Sequence, residues 1–433
     1  MTKEKFPWDR TFLLGLGFLG ISSFWPIFNQ FIPLFLQAGN PEFNRQLISE
    51  GQAIPNIVGF GLAPAWALFI MTWDNLINVF VQPWAGAKSD QTWNRFGRRK
   101  GWILLGAPIA ILGFIFIPIA KSVMAIMVFI LITNFGMALF RSPTAAWLGD
   151  LFKSEYRSKV NGIINLMGGV GGLLAYFGGG YLFDLYGRNA PFIGGAVTTI
   201  LALLVVLFYI KEPERISVKQ VEKVKVLANI RLMFKKPDKS SLYVLLSILL
   251  WFMAFSALET GLSSIAVFTL GIKPGTASIL IGSMTISFIL FAVPAGMFGS
   301  RWGRRNTIRI GLAGLTGMLL AGYLFVQSTF SLVIVLVMCG FFWALVNVNS
   351  LPLVYDHGDE KKIGAFTGLY YFSSQLASVL GPTLGGIMVG AMHNEYRWLW
   401  LFSTFFMGIA WLTMAAVRKL DKSDDPQPAG EIA

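Results

Sequence analysis

A basic turn occurs twice in the chain, and this recurrence constrains the fold more than any other feature of the sequence. Residues 95–99 read Arg-Phe-Gly-Arg-Arg and residues 301–305 read Arg-Trp-Gly-Arg-Arg, 206 positions later in a chain of 433. The same displacement carries Asp150 onto Asp356. Similarity at a fixed displacement is the signature of an internal structural repeat. We therefore expect two copies of one unit, joined near the middle of the chain.

The composition and its apolar stretches place the chain in a membrane. Hydrophobic residues make up 55% and charged residues only 13% of the sequence, which is more apolar surface than one soluble core of this length can bury. Twelve stretches, six in each copy, are long enough to cross ~30 Å of hydrocarbon as helices. The sequence thus predicts an all-α membrane protein with twelve transmembrane helices in two six-helix bundles. The stretches lie at about 11–37, 62–87, 101–120, 123–147, 160–184, 191–210, 242–270, 276–298, 306–327, 330–354, 363–391 and 398–417.

Lys and Arg residues indicate how the spans are oriented. Of 35 such residues, 29 lie in the terminal segments or in the loops after even-numbered spans. Basic residues favour the cytoplasmic side, so we expect a multi-pass protein of the cytoplasmic membrane with both termini in the cytoplasm. The domain organisation follows from this orientation. We predict bundles at 1–210 and 242–417, a cytoplasmic linker at 211–241 and a cytoplasmic tail at 418–433.

The central linker has two interpretations. Val218, Val221 and Val224 recur at near-helical spacing among lysine residues, a pattern that suits a helix lying on the inner leaflet. The same segment would serve equally well as an ordinary solvated connection between the two bundles. The sequence leaves both interpretations open.

Net charge and motif content exclude several functions. The formal net charge is +13, but membrane orientation and anionic lipid headgroups account for it. The basic residues are not interleaved with the exposed aromatic residues that single-stranded nucleic acids need. The sequence has no metal-ligand cluster, nucleophile triad or phosphate-binding loop. We therefore expect no nucleic-acid partner, no metal, no cofactor and no enzymatic activity, in a chain that works as a monomer.

Polar side chains are concentrated in some spans and missing from others. The span at 101–120 has no hydroxyl, amide or charged side chain, whereas those at 11–37, 62–87 and 123–147 hold many. Polar groups are costly where a helix faces lipid, so the polar spans should line a wet cavity. The second copy repeats this scheme. Two six-helix bundles around a central polar cavity are the arrangement of the major facilitator superfamily, which the sequence resembles throughout.

Three charged residues, Asp74, Arg141 and Glu259, lie well inside predicted spans. An isolated carboxylate is costly in the membrane core, and Arg141 can neutralise only one of the two acids at a time. The other acid is then expected to take up a proton, so that an exchange of partners would tie protonation to conformation. We predict Asp74 as the proton site, Glu259 as a second acid or sugar acceptor, and Arg141 as their coupling partner.

Two of these residues also have alternative roles. Asp74 could be a structural acid that is hydrogen-bonded to Asn78 one helical turn away or to a neighbouring helix. Arg141 could instead direct its guanidinium group at substrate hydroxyl groups near the floor of the cavity. The sequence does not separate these roles.

The repeated basic turns predict a cytoplasmic gate. Asp90 and Asp150 lie near the first turn and Asp356 lies near the second. Charge pairs across the two halves would hold the cytoplasmic side shut in one conformation and release it in the other. The alternative is that the basic residues only follow the orientation rule. The predicted gate residues are Asp90, Arg95, Gly97, Arg98, Arg99, Asp150, Arg157, Arg301, Arg304, Arg305 and Asp356.

Segments around the first basic turn resemble a family of sugar carriers. Residues 81–90 read Val-Gln-Pro-Trp-Ala-Gly-Ala-Lys-Ser-Asp and residues 94–99 read Asn-Arg-Phe-Gly-Arg-Arg. They resemble the glycoside–pentoside–hexuronide:cation symporters, nearest the sucrose/proton symporter branch. The resemblance implies the major facilitator fold and cation-driven sugar uptake. The acidic pair of melibiose-type members falls on Asn78 and Gln82 here, so no sodium site of that type is expected.

The combined interpretation is a proton-coupled symporter that moves a di- or oligosaccharide or a glycoside by alternating access. Its site is expected between the two halves, near the bilayer midplane. The main alternative is a proton-coupled antiporter that exports amphiphilic compounds, and a non-transporting membrane sensor is the third candidate. The residues expected to bind sugar hydroxyl groups are Asn29, Asn78, Gln82, Asn347, Asn349, Tyr370 and Gln375.

Overall fold

A computed structural model describes residues 6–212, 239–356 and 363–417. Within these ranges the chain forms fourteen α-helices and no β-strand. The predicted linker, apart from its two ends, and the predicted tail lie outside the described residues. The helices are α1 (Trp8–Gln37), α2 (Pro41–Ser49), α3 (Pro64–Met71), α4 (Trp73–Gln91), α5 (Lys100–Phe116), α6 (Val123–Leu151), α7 (Ser154–Tyr186), α8 (Ala190–Tyr209), α9 (Ser240–Ser264), α10 (Pro274–Trp302), α11 (Arg304–Phe325), α12 (Thr329–Asp356), α13 (Ile363–Ala391) and α14 (Arg397–Ala415).

The helices follow the predicted spans, with one break. Ten of the described helices are long and apolar enough to cross a membrane, judged by length and composition. The predicted span at 62–87 is divided at Thr72 into α3 and α4. There the Thr72 hydroxyl donates to the Phe69 carbonyl over 2.8 Å, and the polar Asp74 and Asn75 follow. Short polar side chains compete with the backbone for hydrogen bonds, which accounts for an interruption at this point.

The helices pack as two bundles. In the first, α1 packs against α7 and α8, and α6 packs against α4 and α5. In the second, α9 packs against α13 and α14, and α12 packs against α10 and α11. The short helix α2 lies between the first two spans of the first bundle. The contacts therefore group the helices as the internal repeat predicts.

The bundles are joined at the end of the molecule where α1, α7 and α9 finish, here called the sealed end. The Gln37 amide donates to the Ser264 hydroxyl over 3.0 Å and accepts from the Tyr396 hydroxyl. Asp184 accepts the Gly275 backbone N–H over 2.9 Å. Among the described residues, the hydrogen bonds that join the two bundles all lie toward this end.

The sealed end also brings two helix backbones into direct contact. A Cβ atom at Gly180 of α7 would lie 2.4 Å from the carbonyl oxygen of Gly275 in α10. Glycine is therefore required for this approach, because any side chain would force the bundles apart. The two basic turns lie at the opposite end of the molecule, here called the basic end. In this conformation the bundles meet at the sealed end.

Large apolar side chains remain exposed on helices at the periphery. These helices include α5, whose span at 101–120 lacks polar side chains, and also α8 and α14. Exposed apolar surface of this extent is ordinary for a membrane-spanning bundle, since lipid tails are as apolar as the side chains. Examples are Leu105, Leu112, Ile193, Leu201, Phe405 and Leu412.

Candidate transport site and gate

A cavity of about 320 Å³ lies between α1, α7, α9 and α10, and so is shared by the two bundles. Its size is at the lower end of the usual range for small-molecule sites. The lining mixes one carboxyl, amides, hydroxyls and aromatic rings, which suits a ligand with many polar groups and an apolar face. The polar and aromatic lining includes Trp25, Asn29, Asn165, Tyr176, Glu259 and Thr285.

Asp74 lies in the first turn of α4, directly after the break in the second span. The side-chain amide of Asn75 donates to its Oδ1 atom over 2.8 Å. The alternative partner expected from the sequence, Asn78, does not make this bond. A helix start offers free backbone N–H groups and the positive end of the helix dipole, which favour an anion. Asp74 is half-buried and lies within electrostatic range of both Arg141 and Glu259.

Arg141 of α6 lies beside an aromatic ring and not against an acid. Its guanidinium carbon is 5.8 Å from the centre of the Trp25 ring, in cation–π geometry. Within the described ranges Arg141 forms no ion pair with N···O below 4 Å. Its side chain is exposed. The ion pair expected with Asp74 or Glu259 is not formed in this conformation, because the cation faces Trp25.

The predicted sugar-binding residues divide by location. Asn29 lines the cavity. Asn78 and Gln375 lie elsewhere, each with a buried side-chain oxygen that has no partner in the described part of the protein. Tyr370 shares a hydrogen bond of 3.0 Å with the Ser350 hydroxyl. The remaining two, Gln82 and Asn347, are half-buried.

Asn349 packs between two helices in this conformation, and its role in sugar binding stays a prediction. Its amide nitrogen donates to the carbonyl oxygens of Ala295 and Leu345, both over 3.0 Å. Its oxygen lies so close to Gly299 that a Cβ atom there would collide with it. The side chain is therefore fully engaged between α10 and α12 and is a packing residue in this conformation. The position of a polar residue along a helix does not show whether its side chain faces the cavity or a neighbouring helix. An asparagine can form hydrogen bonds in either place.

Several cavity residues were not found from the sequence. Tyr176 of α7 is buried, with its hydroxyl beside Thr285 and Gln30 and within electrostatic range of Glu259. It belongs to the glycine-rich helix α7, where a tyrosine by itself is not a sequence signal of a binding site. Asn165, by contrast, belongs to the segment Asn161–Asn165, whose two amides on one helix gave a usable signal. The sequence also gave no reason to single out Thr285.

The first basic turn is held by a buried charge cluster. Arg99 binds Asp150 over 2.8 Å and Asp90 over 2.5 Å, and it also donates to the Ser89 hydroxyl. Arg98 binds Asp90 over 2.7 Å and lies 3.8 Å from Asp150. Burial alone would lower the pKa of Arg99, but the hydrogen bond and charge of Asp150, together with Asp90, outweigh it and raise that pKa. The cluster joins α4, α5 and α6 within one bundle.

Glu212, at the end of the first bundle, completes this cluster and was missed because the sequence assigned it to the linker. Its carboxylate accepts the backbone N–H groups of Arg98, Arg99 and Lys100, the last over 2.8 Å. The Trp147 indole donates to it as well, over 3.0 Å. Glu212 therefore caps the start of α5, where free N–H groups and the helix dipole favour an anion.

The second basic turn is held differently. Arg304 forms an ion pair with Asp356. These two residues are the counterparts, 206 positions later, of Arg98 and Asp150, which lie 3.8 Å apart in the first copy. Arg305 donates to the Ala415 carbonyl over 2.8 Å, at the end of α14. Arg301 is exposed. Between described residues, all ion pairs of the predicted gate stay within one bundle.

The other predicted gate residues have local roles in this conformation. Arg157 donates to the carbonyl oxygens of Gly149 and Phe152, over 2.9 and 3.1 Å. Arg95 lies over the Phe96 ring, 4.7 Å from its centre. Gly97 has a φ of +116° in the turn before α5, a conformation that favours glycine. Charge pairing across the two bundles remains a prediction for a conformation that is closed at the basic end.

Two bundles of membrane-spanning helices around a shared polar cavity define a class of membrane transporters. A family model for the Major Facilitator Superfamily matches residues 11–272 and 262–433. The chain belongs to this superfamily. It is therefore a multi-pass membrane protein and a secondary transporter, and not an enzyme.

Three similar proteins place the chain within the superfamily only broadly. Multidrug resistance protein 2 of Bacillus subtilis (strain 168) is 26% identical over 354 residues, which cover 80% of this chain and 84% of that protein. Sucrose transport protein SUC4 of Arabidopsis thaliana is 29% identical over 145 residues, covering 29% of this chain and 28% of that protein. The crystal structure of the nucleoside transporter NupG aligns with a TM-score of 0.71 at 15% identity, over 95% of this chain and all of that one.

Proposed function

We propose that the protein is a proton-coupled symporter of a di- or oligosaccharide or a glycoside, working by alternating access. The observation that carries the proposal is the shared cavity, where Glu259, Asn29 and Trp25 meet from both bundles. Carboxyl and amide groups can bind sugar hydroxyls, and an indole face suits the apolar side of a sugar ring. The resemblance to the glycoside–pentoside–hexuronide:cation symporters points to the same substrate class.

Proton coupling is assigned to the two acids near this cavity. Asp74 and Glu259 lie within electrostatic range of each other, with one guanidinium group, Arg141, nearby. Two carboxylates close together in a low-dielectric environment cannot both stay ionised cheaply. One of them therefore takes up a proton in part of the transport cycle. Asp74 is the favoured proton site because it starts α4 at a break in a spanning helix, where small movements change its surroundings.

The gate, orientation and domain organisation belong to the same proposal. The basic end faces the cytoplasm, because the basic residues follow the positive-inside pattern. The conformation described here is then open toward the cytoplasm and closed at the sealed end. The bundles extend over 1–210 and 242–417, with the linker 211–241 and the tail 418–433 in the cytoplasm of a monomeric protein in the cytoplasmic membrane.

A screen of labelled sugars in proteoliposomes tests this proposal. Uptake should be saturable and should accumulate sugar only when the proton concentration is higher outside than inside. The same vesicles without a proton gradient should equilibrate the sugar without concentrating it. Vesicles that hold a gradient yet move no sugar would overturn the proposal.

An alternative function is favoured by one comparison. Multidrug resistance protein 2 matches the chain over most of its length, and a proton-coupled antiporter of amphiphilic compounds would use the same fold. In that case protons would enter the vesicle as a dye or drug leaves it. Sugar-independent dye export driven by an inward proton gradient would favour the antiporter, whereas sugar and protons moving in the same direction favour the symporter.

A further inference from the structure

Trp25 lies at the point where the cavity meets the charged residues of the first bundle. Its ring lines the cavity from α1. It is also the group that faces Arg141, whose guanidinium carbon lies 5.8 Å from the ring centre. On another side it packs edge-on against Phe28, with ring centres 5.7 Å apart. One side chain thus contacts both the space for a substrate and the cation that lies near Asp74.

The polar atom of Trp25 is unused. Its indole Nε1–H is buried and has no hydrogen-bond partner in the part of the protein that the structure describes. A buried donor without a partner carries a desolvation cost that a bound acceptor would remove. A sugar hydroxyl or ring oxygen in the cavity is such an acceptor. Trp25 therefore offers a substrate a flat apolar face, together with a donor that a rotation of the ring would uncover.

Arg141 has two competing partners. The ionised Asp74 carboxylate attracts the guanidinium group, and the Trp25 ring attracts it more weakly. When Asp74 is protonated the first attraction disappears, and the ring becomes the better partner. In the structure the ion pair is open and Arg141 faces Trp25, so the second arrangement is sterically available.

We infer that Trp25 is the residue through which the Asp74–Arg141 pair acts on the bound substrate. Protonation of Asp74 releases Arg141 onto Trp25 and fixes the indole in place for a sugar. Loss of the proton draws Arg141 away and leaves the indole free to turn. Trp25 is thus a specificity residue that touches the substrate, and Arg141 is its positioning residue. This inference rests on the proposed sugar symport.

The inference is tested by the fluorescence of Trp25 during a pH titration of the purified protein without sugar. The Trp25 signal is the difference between the emission of the wild type and that of Trp25→Phe. It should change in a single step with pH, and Asp74→Asn and Arg141→Gln should each abolish the step. Arg141→Lys should retain a smaller step, because a cation is still present.

Other charged or titratable groups near Trp25 provide the controls. Glu259 of α9 and Tyr176 of α7 face the same cavity, and Glu259→Gln should retain the step but move it to lower pH, because a negative charge near Asp74 is removed. Trp66 on α3 is 63% exposed, so the corresponding difference signal from Trp66→Phe should not depend on pH. A Trp25 signal that is flat, or that survives unchanged in Asp74→Asn, would overturn the inference.

Transport measurements separate this inference from the proposed function. Trp25→Phe keeps an aromatic face but loses the N–H donor, so KM should rise about three- to tenfold, the value of one hydrogen bond, with little change in kcat. Trp66→Phe should leave both constants unchanged. Sugar flux with a flat Trp25 signal would refute the role of Trp25 alone. A pH step in a protein that moves no sugar would refute the symport proposal alone.

Discussion

The two basic turns share a sequence pattern but differ in their surroundings. In the first copy the Arg98 side chain is 7% exposed and pairs with two acids, Asp90 and Asp150. In the second copy the Arg304 side chain is 41% exposed and pairs with Asp356. The repeat therefore conserves the pairing of arginine with the acid 52 residues later, while burial makes the first turn a rigid junction and leaves the second one loose.

The anchors of the two basic turns differ as well. The first turn is capped by the Glu212 carboxylate, which accepts three backbone N–H groups at the start of α5. The second turn donates from Arg305 to the Ala415 carbonyl, a neutral acceptor. Three charge-assisted bonds at a helix start contribute more than one such bond at a helix end. Sequence repetition thus establishes a shared scaffold, and the differences between the copies decide which turn is stable.

The largest expected difference concerns the last arginine of each turn. Arg99→Gln removes the more buried of the two arginines that pair with Asp90 and Asp150 and should lower the free energy of unfolding by about 3 kcal/mol. Arg305→Gln loses one hydrogen bond to a carbonyl and should cost about 1 kcal/mol. Denaturant titration of both variants in detergent, followed by circular dichroism, checks the difference. Equal losses would contradict the contrast between a buried and a loose turn.

The glycines of the two turns provide the next comparison. Gly97 and Gly303 have φ angles of +116° and +82°, so alanine should cost about 1–2 kcal/mol at either position. A Cβ at Gly97 would also collide with the Glu212 carboxylate, whereas one at Gly303 would meet open space. Gly97→Ala should therefore be more destabilising by about 1 kcal/mol, the value of the lost cap. The same denaturant titration measures this difference. A larger loss of stability in Gly303→Ala than in Gly97→Ala would exclude the Glu212 contact.

Glu212→Gln tests the cap itself. The amide keeps one acceptor oxygen but removes the negative charge at the start of α5, so the expected loss is about 1–2 kcal/mol. Glu50→Gln serves as the matched control, since Glu50 is exposed at the end of α2, and it should change stability by less than about 0.5 kcal/mol. Thermal unfolding of the two variants side by side is sufficient. Indistinguishable midpoints would show that Glu212 does not stabilise the turn.

The smallest effect is expected at the repeated acid of the second copy. Asp356→Asn weakens an exposed ion pair and should cost less than about 1 kcal/mol. Asp150→Asn, its counterpart 206 residues earlier, removes a partner of the buried Arg99 and should cost clearly more. The difference between the two losses of stability measures the effect of burial, because both variants replace an aspartate at equivalent positions of the two copies. A larger loss of stability in Asp356→Asn than in Asp150→Asn would contradict the conclusion that the first turn is the rigid one.

The sequence predicted the fold well because membrane spans carry a strong and simple signal. Apolar stretches and the 206-residue repeat are local or periodic properties, and both survive in the arrangement of α1 to α14. The break at Thr72 was not predicted, since the stretch at 62–87 is as a whole long and apolar enough for one span. What interrupts the helix there is hydrogen bonding by short polar side chains, which hydropathy does not measure.

The candidate site was predicted only in part. Glu259 and Asn29 line the cavity, and both were visible as polar residues in apolar spans. Asn349 was equally visible but bonds to two carbonyl groups between helices. Tyr176 and Glu212 were missed because their neighbours in space lie far away in sequence. The direction in which a polar side chain points depends on how its helix is rotated about its own axis. The pattern of polar and apolar residues does not determine that rotation.

The central claim is that sugar and protons move together through the cavity between the bundles. Proteoliposomes that contain a pH-sensitive dye and no initial gradient test it most directly, by addition of sugar to the outside. We predict that the interior acidifies as labelled sugar enters, and that Asp74→Asn abolishes this acidification. Sugar entry without proton movement in the wild type, or the same acidification in Asp74→Asn, would contradict the account.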